Sequence, residues 1–207
     1  MTPETCAAAL MFALVMAVTP GPNNTMLASS GATYGLKPTL PHLSGVCIGF
    51  AAMVQMVGLG LAAVLLASPR LQLAMKIVSC AYLLWLALQI ARSAGMAGAA
   101  ARGKPMTFLQ ACAFQWINPK AWMTAVGAIS AYTAGRGAQL YWQVTILALI
   151  CLVVAVPATF IWASFGAAIR KWLRAPKALQ AFNTVMALLL VASVVPILIE
   201  IGEALRG

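Results

Sequence analysis

Between Ala181 and Ile199 the chain carries no charge and is predominantly apolar on every face of any helix it could form. A strand of an outer-membrane barrel would alternate polar and apolar residues, and a soluble amphipathic helix would keep one polar side; neither pattern is present. Similar runs recur along all 207 residues. Where water is excluded, the backbone of such a run must satisfy its own N–H and C=O groups, so helices are the spanning solution. At about 20 residues per crossing the chain holds roughly five to seven membrane helices and no sizeable water-soluble domain. Composition excludes a soluble globular fold independently: 8% of residues are charged, against roughly 25% in soluble domains.

The sparse charge is lopsided, with 13 Lys and Arg, 3 Glu, no Asp and a net charge of +10. The basic residues lie between apolar segments and are not gathered on one face. They therefore read as topology-setting loop charges, and no nucleic-acid partner is expected. Hydropathy divides the chain into six segments, 4–28, 42–67, 71–93, 108–133, 142–169 and 177–200. An even number of crossings puts both termini on one side. That side holds Arg70, Lys76, Arg136 and Arg206, with all three glutamates. The other holds Lys37, Arg92, Arg102, Lys104, Arg170, Lys171, Arg174 and Lys177. The positive-inside rule places the richer set in the cytoplasm and both termini in the periplasm. Met1 to Val18 lacks a basic leader and carries Glu4, so it reads as a retained first helix. The five cysteines, Cys6, Cys47, Cys80, Cys112 and Cys151, form no C-x-x-C motif and no Cys/His pair at ligand spacing. They read as packing residues, with no metal and no cofactor expected.

The expected fold is a single all-α membrane domain, 1–207, with six transmembrane helices arranged as two inverted three-helix repeats, about 1–97 and 98–207. Each half begins with a broken helix, the first and the fourth, followed by two longer ones. Three crossings per half force the second copy to enter from the opposite side. Thr19-Pro20 and Asn118-Pro119 read as matching helix starts, each an N-cap residue followed by Pro at the first helical position.

The first break, Thr19-Pro20-Gly21-Pro22-Asn23-Asn24, removes two backbone donors and relaxes the chain at Gly21, so an unbroken helix there would cost several kcal/mol. A break facing lipid would leave carbonyls unsatisfied; one facing protein or a water-filled cavity would not. The plain alternative is an ordinary end of the first span. The partner feature is Gln115-Trp116-Ile117-Asn118-Pro119-Lys120. A lysine within a membrane helix costs at least about 2.5 kcal/mol on insertion scales, and no carboxylate is available to pair with it. Either Lys120 snorkels to an interface, or a ligand supplies the anion. In the second case Pro20, Gly21, Pro22, Asn23 and Asn24 would combine with Gln115, Asn118, Pro119 and Lys120 to bind substrate. Helix N-termini and the ammonium would favour a carboxylate, and the absence of buried acid favours a zwitterion with a neutral side chain. His42 opens the second segment near the cytoplasmic side. It is the one group with an unperturbed pKa between about 5 and 8, so it is either a structural residue or a proton carrier. Gly45 and Gly49, after Gly31 and Gly35, are spaced for close helix packing.

The opening Met-Thr-Pro, the T-P-G-P-N-N run from Thr19 and the stretch Ser29-Ser30-Gly31-Ala32-Thr33-x-Gly35 belong to one pattern with the Gly45/Gly49 pair and Gln115-x-x-Asn118-Pro119-Lys120. Together they resemble the LysE/RhtB family of bacterial amino-acid exporters, across essentially the whole chain. The opening is most similar to the cysteine and O-acetylserine branch. The resemblance implies efflux of small neutral amino acids across the inner membrane, driven by the proton motive force. It carries the substrate site onto Pro20, Gly21, Pro22, Asn23, Asn24, Gln115, Asn118, Pro119 and Lys120. Basic-amino-acid exporters of the family can carry an Asp in the second span; its absence here argues against lysine or arginine as cargo.

The expected function is therefore secondary active export of cysteine, O-acetylserine, threonine, homoserine or similar compounds by alternating access. The expected partners are a small amino-acid substrate and the lipid bilayer, with a homodimer left open. A membrane-embedded enzyme would need a nucleophile with its base, a metal cluster or paired carboxylates, and one His with no Asp does not supply them. A channel or passive partner protein would explain the spans but not two matched breaks with a lysine.

Overall fold

The computed structural model describes residues 1–61, 63, 67–93, 104–134, 136–170, 172 and 176–204, and every regular element among them is helical. The loop charges Arg102, Lys171, Arg174 and Arg206, and the junction between the two expected halves near residue 97, lie outside the described residues. Helix α1, Pro3–Val18, is capped by the Thr2 hydroxyl. After a break comes α2, Pro22–Tyr34, and after Gly35 comes α3, Leu36–Met56, extended by a π-helical turn over Val57–Leu61. Helix α4 spans Pro69–Ser93. Helix α5, Phe108–Gln115, starts in a capping box formed by Thr107 and Gln110. Helix α6 is Pro119–Tyr132, α7 is Gly137–Ile169 and α8 is Pro176–Ala204.

Four of these, α3 with its π-helical turn, α4, α7 and α8, are long and apolar enough to cross a membrane singly. The pair α1 and α2 passes the same test together, bent by 52°. Helices α5 and α6, of 8 and 14 residues, each fall short of the roughly 20 that a crossing needs. The expected fourth segment is thus two short helices around a break. Large apolar side chains face outward, Val153 67% and Ile161 64% exposed among them, which suits a lipid surround.

The expected boundaries between the first two segments are wrong. Helix α2 continues to Tyr34 instead of stopping at 28, and α3 starts at Leu36 instead of 42, so 29–41 is not a loop. The polar run Ser29–Thr33 depresses local hydropathy, but its hydroxyls are bonded internally. Ser29 donates to Asn183 Oδ1 (3.1 Å), Ser30 shares a hydrogen bond with Thr39 (2.9 Å), and Thr33 accepts from Asn183 Nδ2 (3.2 Å). The corner is made by Gly35, whose φ of 90° lies in the left-handed region open to glycine.

Helix α7 is the spine, packed against α1, α2 and α3, while α4 lies along α8 and α5 against α3. Helices α2 and α7 meet backbone to backbone. A methyl on Gly31 would strike the Ala163 carbonyl, and one on Gly166 would strike the Ala28 carbonyl. Along α3, Gly45 faces Phe108 and Ala111, and a Cβ at Gly49 would sit 2.6 Å from Cys112 Cα. In lipid, where apolar side chains gain nothing by meeting each other instead of acyl chains, such close approach supplies the van der Waals contact that holds helices together. Gly166→Val is therefore expected to destabilise the purified protein by roughly 1–3 kcal/mol, seen as a Tm lower by roughly 2–10 °C. Gly202→Val, where a Cβ meets nothing within 4 Å, should leave Tm unchanged.

Candidate functional site

The residue before a proline is pushed out of the helical region. Applied twice, to Pro20 and Pro22, this stops α1 at Val18 and delays α2 until Pro22. Thr19 is extended at ψ 131°, and Gly21 is extended at φ −175°, ψ −178°. The expected helix start at Thr19-Pro20 is therefore corrected: Thr19 closes α1, and the start is Gly21-Pro22. At the second break the expected start holds. Asn118 is extended and caps α6 by accepting from the Lys120 N–H (3.2 Å), with Pro119 at the first helical position.

The carbonyls released at the end of α1 are met by side chains. Asn24 Nδ2 donates to Ala17 O (2.8 Å) and Thr19 O (3.0 Å). Lys120 Nζ donates to Thr19 O (2.7 Å) and, at longer range, to Pro20 O (3.4 Å). The ammonium thus sits at the negative end of the α1 dipole. Lys120 reaches from the second break to the freed carbonyls of the first. Gly21 makes room for it, since a Cβ there would lie 2.8 Å from Lys120 Cδ.

The two breaks are tied directly. Asn23 and Gln115 exchange amide hydrogen bonds, Asn23 Nδ2 to Gln115 Oε1 at 2.9 Å and Gln115 Nε2 to Asn23 Oδ1 at 3.2 Å. Gln115 also donates to Ala111 O (2.9 Å), and Trp122 Nε1 donates to Trp116 O (2.9 Å) across the second break.

Both breaks open on one cavity between α1, α2, α3, α6 and α7. Of the residues singled out in the sequence, Gly21, Asn23, Asn24, Asn118 and Lys120 line it. Pro20, Pro22, Gln115 and Pro119 do not; they shape the breaks behind it. None of the lining residues carries a carboxylate. The cap of α2 contributes no side-chain acceptor, so the first amides of that helix, from Asn23 and Asn24, remain open as every uncapped N-terminus leaves them.

Sequence reasoning missed Thr124, Thr159 and Phe50 on the same wall. Thr124 was within reach, being one turn beyond Lys120 and so on the same helical face. Thr159 and Phe50 become neighbours only through tertiary packing. His42 is not at an interface as expected: the earlier start of α3 puts it inside the bundle, 2% exposed and outside the central cavity. Gly45 and Gly49 lie on the α3–α5 contact, away from the cavity lining.

Comparison with known proteins places this geometry in context. The LysE type translocator family matches residues 14–200. The cysteine/O-acetylserine efflux protein of Klebsiella pneumoniae subsp. pneumoniae is 32% identical over 80% of this chain and 84% of its own. The proteins of the same name from Salmonella choleraesuis and Escherichia coli K12 are 30% and 29% identical, each over 92% of this chain and 96% of theirs. No solved structure matches the chain. With nearly its full length matched and its broken helices gathered on one cavity, the chain belongs to the LysE type translocators, and it is a membrane transporter, not an enzyme.

Proposed function

We propose that the chain is a secondary active exporter that carries small neutral amino acids, such as cysteine, O-acetylserine, threonine or homoserine, outward across the inner membrane. One observation carries the reading: both helix breaks converge on a cavity that contains an ammonium and no carboxylate. The names of the relatives point to the same cargo class. An ammonium has three donors, and Lys120 directs two at break carbonyls, so one is left for a substrate carboxylate. The open amides at the start of α2 and its dipole favour the same group, by about 0.3–1 kcal/mol at exposed sites and up to about 2 kcal/mol when partly buried. The hydroxyl oxygens of Thr124 and Thr159, which donate to Lys120 O and Ala155 O, keep lone pairs for the substrate ammonium. A cationic side chain would find no acid here, and an unpaired buried ion costs several kcal/mol.

In this reading α1 with α2, and α5 with α6, each form one broken crossing, giving six spans in a single domain with inverted halves 1–97 and 98–207. The packing of α3 on α7 and α4 on α8, with α1 on α7 answered by α5 on α3, supports it. Rocking of the halves would expose the cavity to either side in turn, with both termini periplasmic and the proton motive force as driver. A proton carried by His42 would act from beside the central cavity, not within it.

Two measurements test the site. In proteoliposomes, Lys120→Met should lower cysteine export by roughly 10- to 150-fold, the loss of one charge-assisted hydrogen bond, while the protein remains monodisperse. Export at the wild-type rate would contradict the role given to Lys120. Gly21→Ala removes no functional group, but its methyl displaces the lysine stem. It should lower export by roughly ten-fold, an overpacking penalty near 1.4 kcal/mol, and leave insertion into the membrane intact.

A further inference from the structure

A second cavity lies between α2, α3, α4 and the segment leading into α5. Ser29, Ser30 and Thr33 contribute to its wall, and each is already committed to Asn183 or Thr39. His42 is not. It is 2% exposed and lines the cavity, and neither Nδ1 nor Nε2 has a hydrogen-bond partner among the described residues. A neutral imidazole has one donor and one acceptor, and a buried polar group left unpaired loses its water without compensation. Gln89 and Lys104, both exposed, complete the wall, and no carboxylate lines it.

The two cavities share a helix face. Asn23, Met26, Ser30 and Thr33 follow one another along α2 at helical spacing. Asn23 lines the central cavity, while Ser30 and Thr33 line the second. Met26 stands between these polar surfaces and is buried in the apolar cluster that contains Phe114. Met26 also lines the second cavity, and its unbranched side chain is adaptable.

We infer that the second cavity is a cytoplasm-side binding site for the same small zwitterionic amino acid, in which His42 meets the ligand through its imidazole N–H and lone pair and Lys104 receives its carboxylate. The inference rests on the export reading above, which also fixes the side, since Lys104 belongs to the loop charges placed in the cytoplasm. Substrate would wait here before passing Met26 and the Asn23–Gln115 pair to reach Lys120.

The chain has one histidine, so isotopic labelling of histidine in the full chain, without a polyhistidine tag, reports on this site alone. L-cysteine under reducing conditions would be titrated into Lys120→Met protein in nanodiscs, where the central site is disabled. The imidazole resonances should shift saturably in the millimolar range, and adding Lys104→Met should weaken the apparent Kd by about ten-fold. No shift, a shift reproduced by sodium chloride of equal ionic strength, or one indifferent to Lys104→Met overturns the site and leaves water as the partner of His42. Cysteine flux through wild-type proteoliposomes separates the two failures. Flux without an imidazole shift keeps the export reading and removes the second site; absence of flux removes both.

Discussion

Backbone carbonyls set free inside a membrane must find donors, and the central cavity is built by meeting that demand. Two prolines stop α1 at Val18, and its last carbonyls lose their partners within the helix. Asn24 reaches back to Ala17 and Thr19, and Lys120 arrives from the other half of the chain to meet Thr19 and Pro20. A lysine that would be costly anywhere else in the bilayer is held by the same carbonyls that would be costly without it. The break and the charge each compensate the other, and the space between them is where a small ligand fits.

The same pairing underlies the proposed selectivity. The positive field comes from one ammonium and one uncapped helix start, with no acid on the wall to balance it. In the proposed reading a carboxylate would complete the arrangement, and hydroxyl and carbonyl oxygens would receive a substrate ammonium. A second cationic group would be left without a partner. The glycines act at a distance: contact between α2 and α7 at Gly31 and Gly166 brings Thr159 of α7 to the same wall as Asn23, so helix packing determines which oxygens face the cavity.

Much of this was legible in the chain. Prolines break helices by local sterics, so both breaks could be read from sequence, and a lysine inside an apolar segment of a chain without aspartate had to be exceptional. The partners were not legible. Lys120 and Thr19 are 101 positions apart, and Asn23 and Gln115 are 92 apart, so their meeting depends on the packing of the whole bundle. Asn24 and Asn118 looked like ligand groups, yet Asn24 donates to the carbonyls at the end of α1 and Asn118 accepts from the Lys120 N–H, because side-chain amides serve either purpose with the same atoms. Hydropathy misplaced the ends of α2 and α3 because it scores Ser29, Ser30 and Thr33 as solvent-seeking and cannot see Asn183, which bonds Ser29 and Thr33, or Thr39, which bonds Ser30. It also placed His42 at a boundary that does not exist.

The central claim is that a cavity with a cation and no acid accepts neutral amino acids and refuses cationic ones. The most direct test follows labelled cysteine and labelled lysine side by side through wild-type proteoliposomes under an imposed pH gradient. The account requires rapid movement of cysteine and movement of lysine no faster than in empty liposomes. Lysine crossing at a rate comparable to cysteine would contradict it.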